Sequence, residues 1–379
     1  MKKKILVEGW RFVPHSYACV NMWQCLELMR RDDVDLCFHD RPYYNPEWTP
    51  FYRLFAPEAT AALGSMPSFS GGAVPDVLLR IEYPFSFTPG SASRLFVFGT
   101  AEHGMVKPTM LTGETPLREA LAESEAVVVT PSNWSKAGFL RSGAPAERIV
   151  VVPHGVDTDV FLPFPAEERA NLRKRLSWQD SFVFLNTGTM IGNKGIRYLL
   201  KAFAVLQQRY PHLKLCLKGL DTLYQSQKRL QECTDLLTAE EIALIQPALY
   251  YSGETVPFSD MAGLYNACDA YVSPYIAEGF NLPVLEAAAC GTPVICTAGG
   301  PTDDFVDDSF AKRIESTFMQ GEGGIIGLKP NLDHLIALMA EVVEKGKDGR
   351  ETGAGAAWVA GAFTWRHAVD RLLAAFSAG

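Results

Sequence analysis

A chain of 379 residues, 47% of them hydrophobic, has room for two or three domains with packed cores. Its formal net charge of -8, with no run of basic residues, argues against nucleic acid or an anionic membrane as the general partner; peripheral membrane association through a local patch stays compatible with it. Eight cysteines with no C-x-x-C pair, most of them in apolar stretches (Cys19, Cys25, Cys216, Cys290, Cys296), read as reduced, buried thiols of a cytoplasmic protein, not as disulfides or a zinc site.

The chain opens on "MKKKILVEGW", where Glu8 ends the apolar run after Ile5, Leu6 and Val7. That is a first strand, too short for a signal peptide, and no later stretch approaches a membrane span. Apolar, β-rich runs follow at 34–39, 76–82, 94–100, 126–130 and 148–153. Several are apolar on both faces, as strands inside a parallel sheet are. Cys19, Met22, Trp23, Leu26 and Met29 keep helical spacing between the first two runs. "FLPFPAEER" (161–169) interrupts the alternation with two prolines and reads as a linker. Strands then resume at 181–188, 213–219, 248–253, 270–274, 293–297 and at the start of 311–316, with a helix at 196–206. Thr238 and Glu241 form a capping box that starts a helix at Ala239. Thr364 caps a last amphipathic helix over 364–376. The fold class is therefore α/β, with two successive Rossmann-like layers, and a ligand cleft is expected at the carboxyl ends of the strands.

The most informative stretch is "EGFNLPVLEAAACGTPV" (278–294). Asn281 is placed as an N-cap, Pro283 suits a first helical turn, and Gly291 stops the helix, so 282–290 is predicted helical. Its N-terminus follows a strand and offers N–H groups and partial positive charge to a phosphate. Gly279 lets the backbone approach an anion without a Cβ in the way. Glu278 before the helix and Glu286 one turn inside it suit a ligand that alternates hydroxyls and phosphates. The bland alternative is that both are acids placed near a helix start. Lys194, between a strand and a helix, suits a phosphate point charge; its alternative is a solvated surface lysine. "GTMIGNKG" (188–195) lacks the spacing and the Gly-Lys-Ser/Thr ending of a P-loop. No G-x-G-x-x-G follows the first strand, which disfavours a nicotinamide enzyme. Asp303, Asp304, Asp307 and Asp308 follow a Gly-Gly-Pro turn and read as acids at a helix start, so no metal is expected.

The 278–294 segment resembles the glutamate–seven residues–glutamate element of retaining GT-B glycosyltransferases of family GT4, the glycosyl transferases group 1. "VVVPHGVDTDVF" (150–161) resembles the family's interdomain segment, with His154 where Asn is usual. "KGIRYLLKAF" (194–203), "SDMAGLYNACDAYVSPYIAEGF" (259–280) and "FTWRHAVDRLL" (363–373) resemble further family segments. The match is specific in the second half and weaker before residue 90. The resemblance implies a GT-B fold with an acceptor domain at 1–163, a nucleotide-sugar donor domain at 164–362, and a helix at 363–379 that returns to the first domain.

Carried over by position, the resemblance puts Glu278 near the donor sugar. The backbone of Gly279, Phe280, Asn281 and Leu282 would lie at the distal phosphate, Glu286 at the ribose hydroxyls, and Lys194 at the leaving diphosphate. Gly188 and Thr189 line the same loop. Thr189 departs from the pattern, because the family usually has Arg five positions before the lysine. In "FGTAEHGMV" (98–106), His103 is the preferred candidate near the transferred sugar, and Glu102 is the second. Arg11, His15 and Tyr17, after the first strand, are candidates for the acceptor side, while Ser16 is expected to cap the next helix. The function expected is a metal-independent, cofactor-free transfer of a sugar from a nucleotide-diphosphate sugar to an acceptor hydroxyl. The alternatives weighed are an epimerase or phosphorylase on the same fold and a non-catalytic sugar-nucleotide-binding protein.

Overall fold

The computed structural model describes residues 2–69, 71, 74–346 and 352–378. They form two compact units, Met1–Gly155 with Thr364–Gly379, and Val156–Phe363. The chain thus changes unit at Gly155, where the sequence reading places the boundary at 163/164. The segment 161–169 is not a linker. Phe164 N donates to Asn266 Oδ1 at 2.8 Å, and the helix Ala166–Arg175 starts directly after Pro165. Proline at the residue before a helix does not separate domains; it needs no partner for a missing N–H.

The first unit carries a parallel sheet of β1 (Lys3–Gly9), β2 (Val34–Asp40), β3 (Val77–Ile81), β4 (Arg94–Phe98), β5 (Val127–Thr130) and β6 (Ile149–Val151), in the order β2-β1-β3-β4-β5-β6. The second carries β7 (Phe182–Thr187), β8 (Leu213–Lys218), β9 (Leu249–Ser252), β10 (Ala270–Ser273), β11 (Val294–Thr297) and β12 (Ala311–Ile314), in the order β12-β11-β10-β7-β8-β9. Each of these strands coincides with a run that the sequence marks as a strand, to within two residues at either end. The residues of β3 and β10 are buried throughout, as both-face apolar strands require. The sequence reading omits an antiparallel hairpin, β13 (Ser316–Gln320) with β14 (Ile326–Pro330). β13 is largely exposed, and β14 breaks its apolar residues with Gly327 and Lys329, so no apolar run announces them. Gly321, Gly323 and Gly324 between them were the available signal.

The order of each sheet reverses once. In the first unit β1 lies between β2 and β3, and in the second β7 lies between β8 and β10. Crevices at such reversals, outside the carboxyl ends of the strands, are where open α/β sheets bind ligands.

The helix Trp365–Ser377 belongs to the first unit and completes its core. Trp365 stacks on Trp23 at 6.3 Å, Phe376 lies 4.7 Å from Phe96, and Arg31 pairs with Asp370 at 2.7 Å. Its start runs against Gly155, where a Cβ would come within 2.2 Å of the Thr364 backbone, so only glycine fits there. His154 is buried next to Phe98 and Trp365, and burial lowers its pKa to about 3, which keeps it neutral.

Candidate active site

Two loops flank the β7–β10 reversal. The loop after β7 runs through Gly188 and Thr189 to a short turn at Gly192–Lys194. The loop after β10 leads to the helix Leu282–Ala289. They are pinned together at Asn193, whose carbonyl accepts from Ile276 N at 2.7 Å and from Ala277 N at 3.2 Å. Gly195 permits this approach. Its φ is +68°, and a Cβ would sit 1.7 Å from the Pro274 carbonyl oxygen. The consequence is an ion pair across the reversal, Lys194 Nζ to Glu278 Oε1 at 2.7 Å, with side-chain exposures of 19% and 11%. Two groups 84 positions apart are thereby joined at the start of one helix.

Asn281 does not cap that helix with its side chain. It adopts φ 79°, makes no capping bond, and turns its Nδ2 back to Ser273 Oγ at 2.9 Å. Asparagine tolerates the left-handed region, and here that tolerance sets the bend that feeds the chain from loop to helix. Gly279, Phe280 and Asn281 are all buried in this bend, and Phe280 packs 4.6 Å from Phe305. The Lys194–Glu278 pair thus lies in the loop that leads into the N-terminus of this helix.

Glu286 lies one turn into the helix. Its Oε2 accepts from Tyr265 OH at 2.7 Å, and burial raises its pKa to about 7, against the lowering effect of that hydrogen bond. Tyr265 OH also lies 3.3 Å from Thr187 Oγ1, which lies 3.3 Å from Tyr271 OH. The sequence reading named none of these three. Thr187 ends β7 and Tyr271 lies in β10, so their positions beside the reversal became visible only with the strand order. Thr189, the residue that departs from the family pattern, has its Oγ1 buried with no hydrogen-bond partner among the described residues. On the neighbouring strand, the Lys218 carbonyl accepts from Gly188 N at 2.9 Å, while its ammonium donates to the Gly219 and Glu254 carbonyls. Burial lowers the Lys218 pKa.

The candidates in the first unit are differently placed. Arg11 is turned onto Asp40, with Nε 2.9 Å from Oδ1, and onto the Leu63 carbonyl. It thus forms a fork with the Asp40 carboxylate. His15, not Ser16, caps the helix Ser16–Met29, its Nδ1 accepting from Tyr17 N at 3.1 Å. The ring can cap because burial lowers its pKa to about 4 and leaves Nδ1 a lone pair. Tyr17 is buried, with its hydroxyl 3.0 Å from Thr100 Oγ1. Glu102 and the exposed His103 occupy the turn after β4, where the Glu102 carbonyl accepts from Trp134 Nε1 at 2.8 Å.

The aspartates of 303–308 serve local structure. Asp303 accepts from Gly299 N at 2.8 Å, Asp307 from Ser309 N at 2.9 Å, and Asp308 pairs with Arg313 at 2.6 Å. Among the described residues no group of three or more His, Cys, Asp or Glu side chains is placed to hold a metal ion. Nor is any described helix long and apolar enough to cross a membrane.

Two parallel six-stranded α/β units, one with an acid–base pair at the reversal of its sheet, define a protein of the GT-B glycosyltransferase fold. The fold match extends over nearly the whole chain. Anabaena Alr3699/HepE, solved in complex with UDP and glucose, aligns with a TM-score of 0.69 at 16% identity, over 99% of each chain. Residues 168–348 match the family "Glycosyl transferases group 1". Among curated relatives, the O-antigen chain mannosyltransferase B of Escherichia coli is 32% identical over 52% of this chain and 49% of its own. The GDP-mannose-dependent alpha-(1-6)-phosphatidylinositol monomannoside mannosyltransferase of Mycolicibacterium smegmatis is 24% identical over 80% of this chain and 74% of its own. The chain spans about half the length of the first curated relatives it matches, 49% and 54%.

Proposed function

We propose that this protein is a retaining glycosyltransferase, which moves a hexose from a nucleotide-diphosphate sugar to an acceptor hydroxyl in the building of a glycan or glycolipid. The observation that carries the reading is the Lys194–Glu278 pair at the start of the Leu282–Ala289 helix, with Glu286 one turn further on. The bond that breaks joins the anomeric carbon to the distal phosphate oxygen, and a bond from the same carbon to the acceptor oxygen replaces it. The electron pair leaves with the nucleoside diphosphate, and the acceptor proton passes to that leaving group or to water. The leaving group gains charge in this step. Lys194 and the helix N-terminus are the groups that would stabilise it, and on this reading no metal is required. Glu278 would accept from sugar hydroxyls once an incoming diphosphate competes for Lys194. Glu286 would hold the ribose. Gly188 and Thr189, in the loop before Lys194, would line the diphosphate. His103 and Glu102, at the end of β4, are proposed for the sugar and acceptor side, together with Tyr17. No side chain is assigned as a covalent nucleophile. Two mannosyltransferases among the relatives make a mannose donor one of the first to test, and HepE makes UDP-glucose another. A cytoplasmic location, where nucleotide sugars are made, goes with the proposal.

The test is a panel of nucleotide sugars assayed with EDTA present, for thermal stabilisation and for slow release of the free sugar. At least one should stabilise the protein and be hydrolysed. No stabilisation by any of them would sink the reading. Glu278→Gln should still be stabilised by the same donor yet transfer no sugar. Transfer at the native rate would remove Glu278 from its assigned place and favour a protein that only binds sugar nucleotides.

A further inference from the structure

Glu286 has two carboxylate oxygens with different surroundings. Oε2 accepts from Tyr265 OH at 2.7 Å, while Oε1 accepts no hydrogen bond among the described residues. Tyr265 is fully enclosed, at 0% exposure, so its hydroxyl cannot turn to water. Counting protons gives the chain of bonds a direction. A phenol has one O–H, and Tyr265 gives it to Glu286. Its contact with Thr187 Oγ1 at 3.3 Å must then be accepted from the threonine. Tyr271 OH donates to the Thr187 carbonyl at 3.4 Å and lies 3.3 Å from Thr187 Oγ1. The row runs from Thr187 at the end of β7 to Tyr265 to Glu286, and ends on a carboxylate. Bonds aligned head to tail in this way strengthen one another and favour the ionised acid at their end. Both tyrosines are held protonated, since burial raises their pKa values.

We propose that Tyr265 is a positioning residue for nucleotide binding, which fixes Glu286 by one oxygen so that the other is left to accept the hydroxyls of a ribose. The inference rests on the reading of Glu286 as the ribose holder. The helix would place the carboxylate roughly in any case. Tyr265 sets its rotation and its ionisation, and Thr187 couples both to the strand end from which the Gly188–Thr189 loop departs. The titratable groups that face Glu286 are Tyr265 from the helix Phe258–Ala267 and Tyr271 from β10. The helix Thr352–Ala362 brings none, and Cys296 of β11 faces Thr302 and Asp303 instead.

A ribose diol donates best to an ionised carboxylate, so affinity should rise as pH passes the Glu286 pKa, about 7. Removing the Tyr265 proton donor takes away an interaction that favours the charged form, so the Glu286 pKa rises and the transition moves to higher pH. The experiment measures UDP, GDP and ADP dissociation constants by calorimetry from pH 5.5 to 9.5 on native protein, Tyr265→Phe and Glu286→Gln. Thermal unfolding is followed in parallel, since the phenylalanine ring fills the same space. The tightest nucleotide should bind native protein more strongly above the transition. Glu286→Gln should abolish the transition. Tyr265→Phe should shift it upward by half a pH unit or more, with little change in affinity at pH 9.5. A native transition that Glu286→Gln abolishes but Tyr265→Phe leaves in place would overturn the inference and spare the reading of Glu286. Glu286→Gln binding like the native protein at every pH, or no nucleotide binding at all, would overturn both. A Tyr265→Phe protein that loses affinity equally at all pH values has only lost structure, which also counts against the inference.

Discussion

The two sheets reverse their order in the same way, and each brings charged residues to the reversal, but they use them differently. At the β1–β3 reversal Arg80 is enclosed by acceptors. Its Nε lies 2.8 Å from Glu8 and 3.7 Å from Glu82, and its Nη1 donates to the Ser86 and Thr88 carbonyls at 2.9 and 2.8 Å. Arg41 adds a second cation on Glu82 at 2.8 Å. At the β7–β10 reversal the cation is Lys194, 19% exposed and paired with Glu278 at 2.7 Å. A buried guanidinium saturated by carboxylates and carbonyls holds a fold together. An ammonium that water reaches, paired with a carboxylate, can exchange that partner for a phosphate. Similar topology therefore does not imply similar readiness to bind a charged ligand; what decides is how deeply the charged groups are enclosed.

The largest expected effect tests the structural side of this contrast. Arg80→Ala leaves Glu8 and Glu82 buried and short of a partner, and should lower stability by about 3–5 kcal/mol, read as a fall in the urea midpoint of the first unit. An unchanged midpoint would mean that these carboxylates are not held by Arg80 and are free for an acceptor. On the other side, Lys194→Ala should slow sugar transfer by about 100- to 1000-fold, the usual cost of removing one group that stabilises developing charge. Its effect on unfolding should be smaller than that of Arg80→Ala, because water reaches the pair. A variant that unfolds early but transfers at the native rate would reverse the contrast. The smallest effect is expected at Thr189. Its buried, unpartnered hydroxyl is a cost without a ligand, so Thr189→Val should leave stability unchanged or raise it by about 1 kcal/mol or less. The same change should weaken nucleotide-diphosphate binding several-fold in calorimetry, if that hydroxyl meets a phosphate. Equal affinity would show that the position lost its role together with its arginine.

Particular residues show why the two reversals were unequally legible. Glu278, Glu286 and Lys194 stand out because each lies next to a punctuating residue: Gly279, Pro283 and Gly195. Short-range rules read such local chemistry well. Tyr265 carries no such mark. It is one aromatic residue in a short helix, and its meaning comes from Thr187 and Glu286, 78 and 21 positions away. Arg11 and His15 show the same limit in reverse. Each looks available in its own loop, and each is taken by a partner that local sequence does not identify, Asp40 on the next strand and the Tyr17 amide.

By itself, the sequence determined the α/β class, the strands of both sheets, the helix that follows Glu278 and the family resemblance. All of these depend on residues within a few positions of one another, where periodicity, glycine, proline and capping act. Tertiary structure decided the order of the strands, the pairing of Lys194 with Glu278, the direction of the hydrogen bonds that end on Glu286, and the closed state of the Arg80 cluster. Those depend on which distant groups share a buried space, and a buried polar group takes its properties from the partners found there.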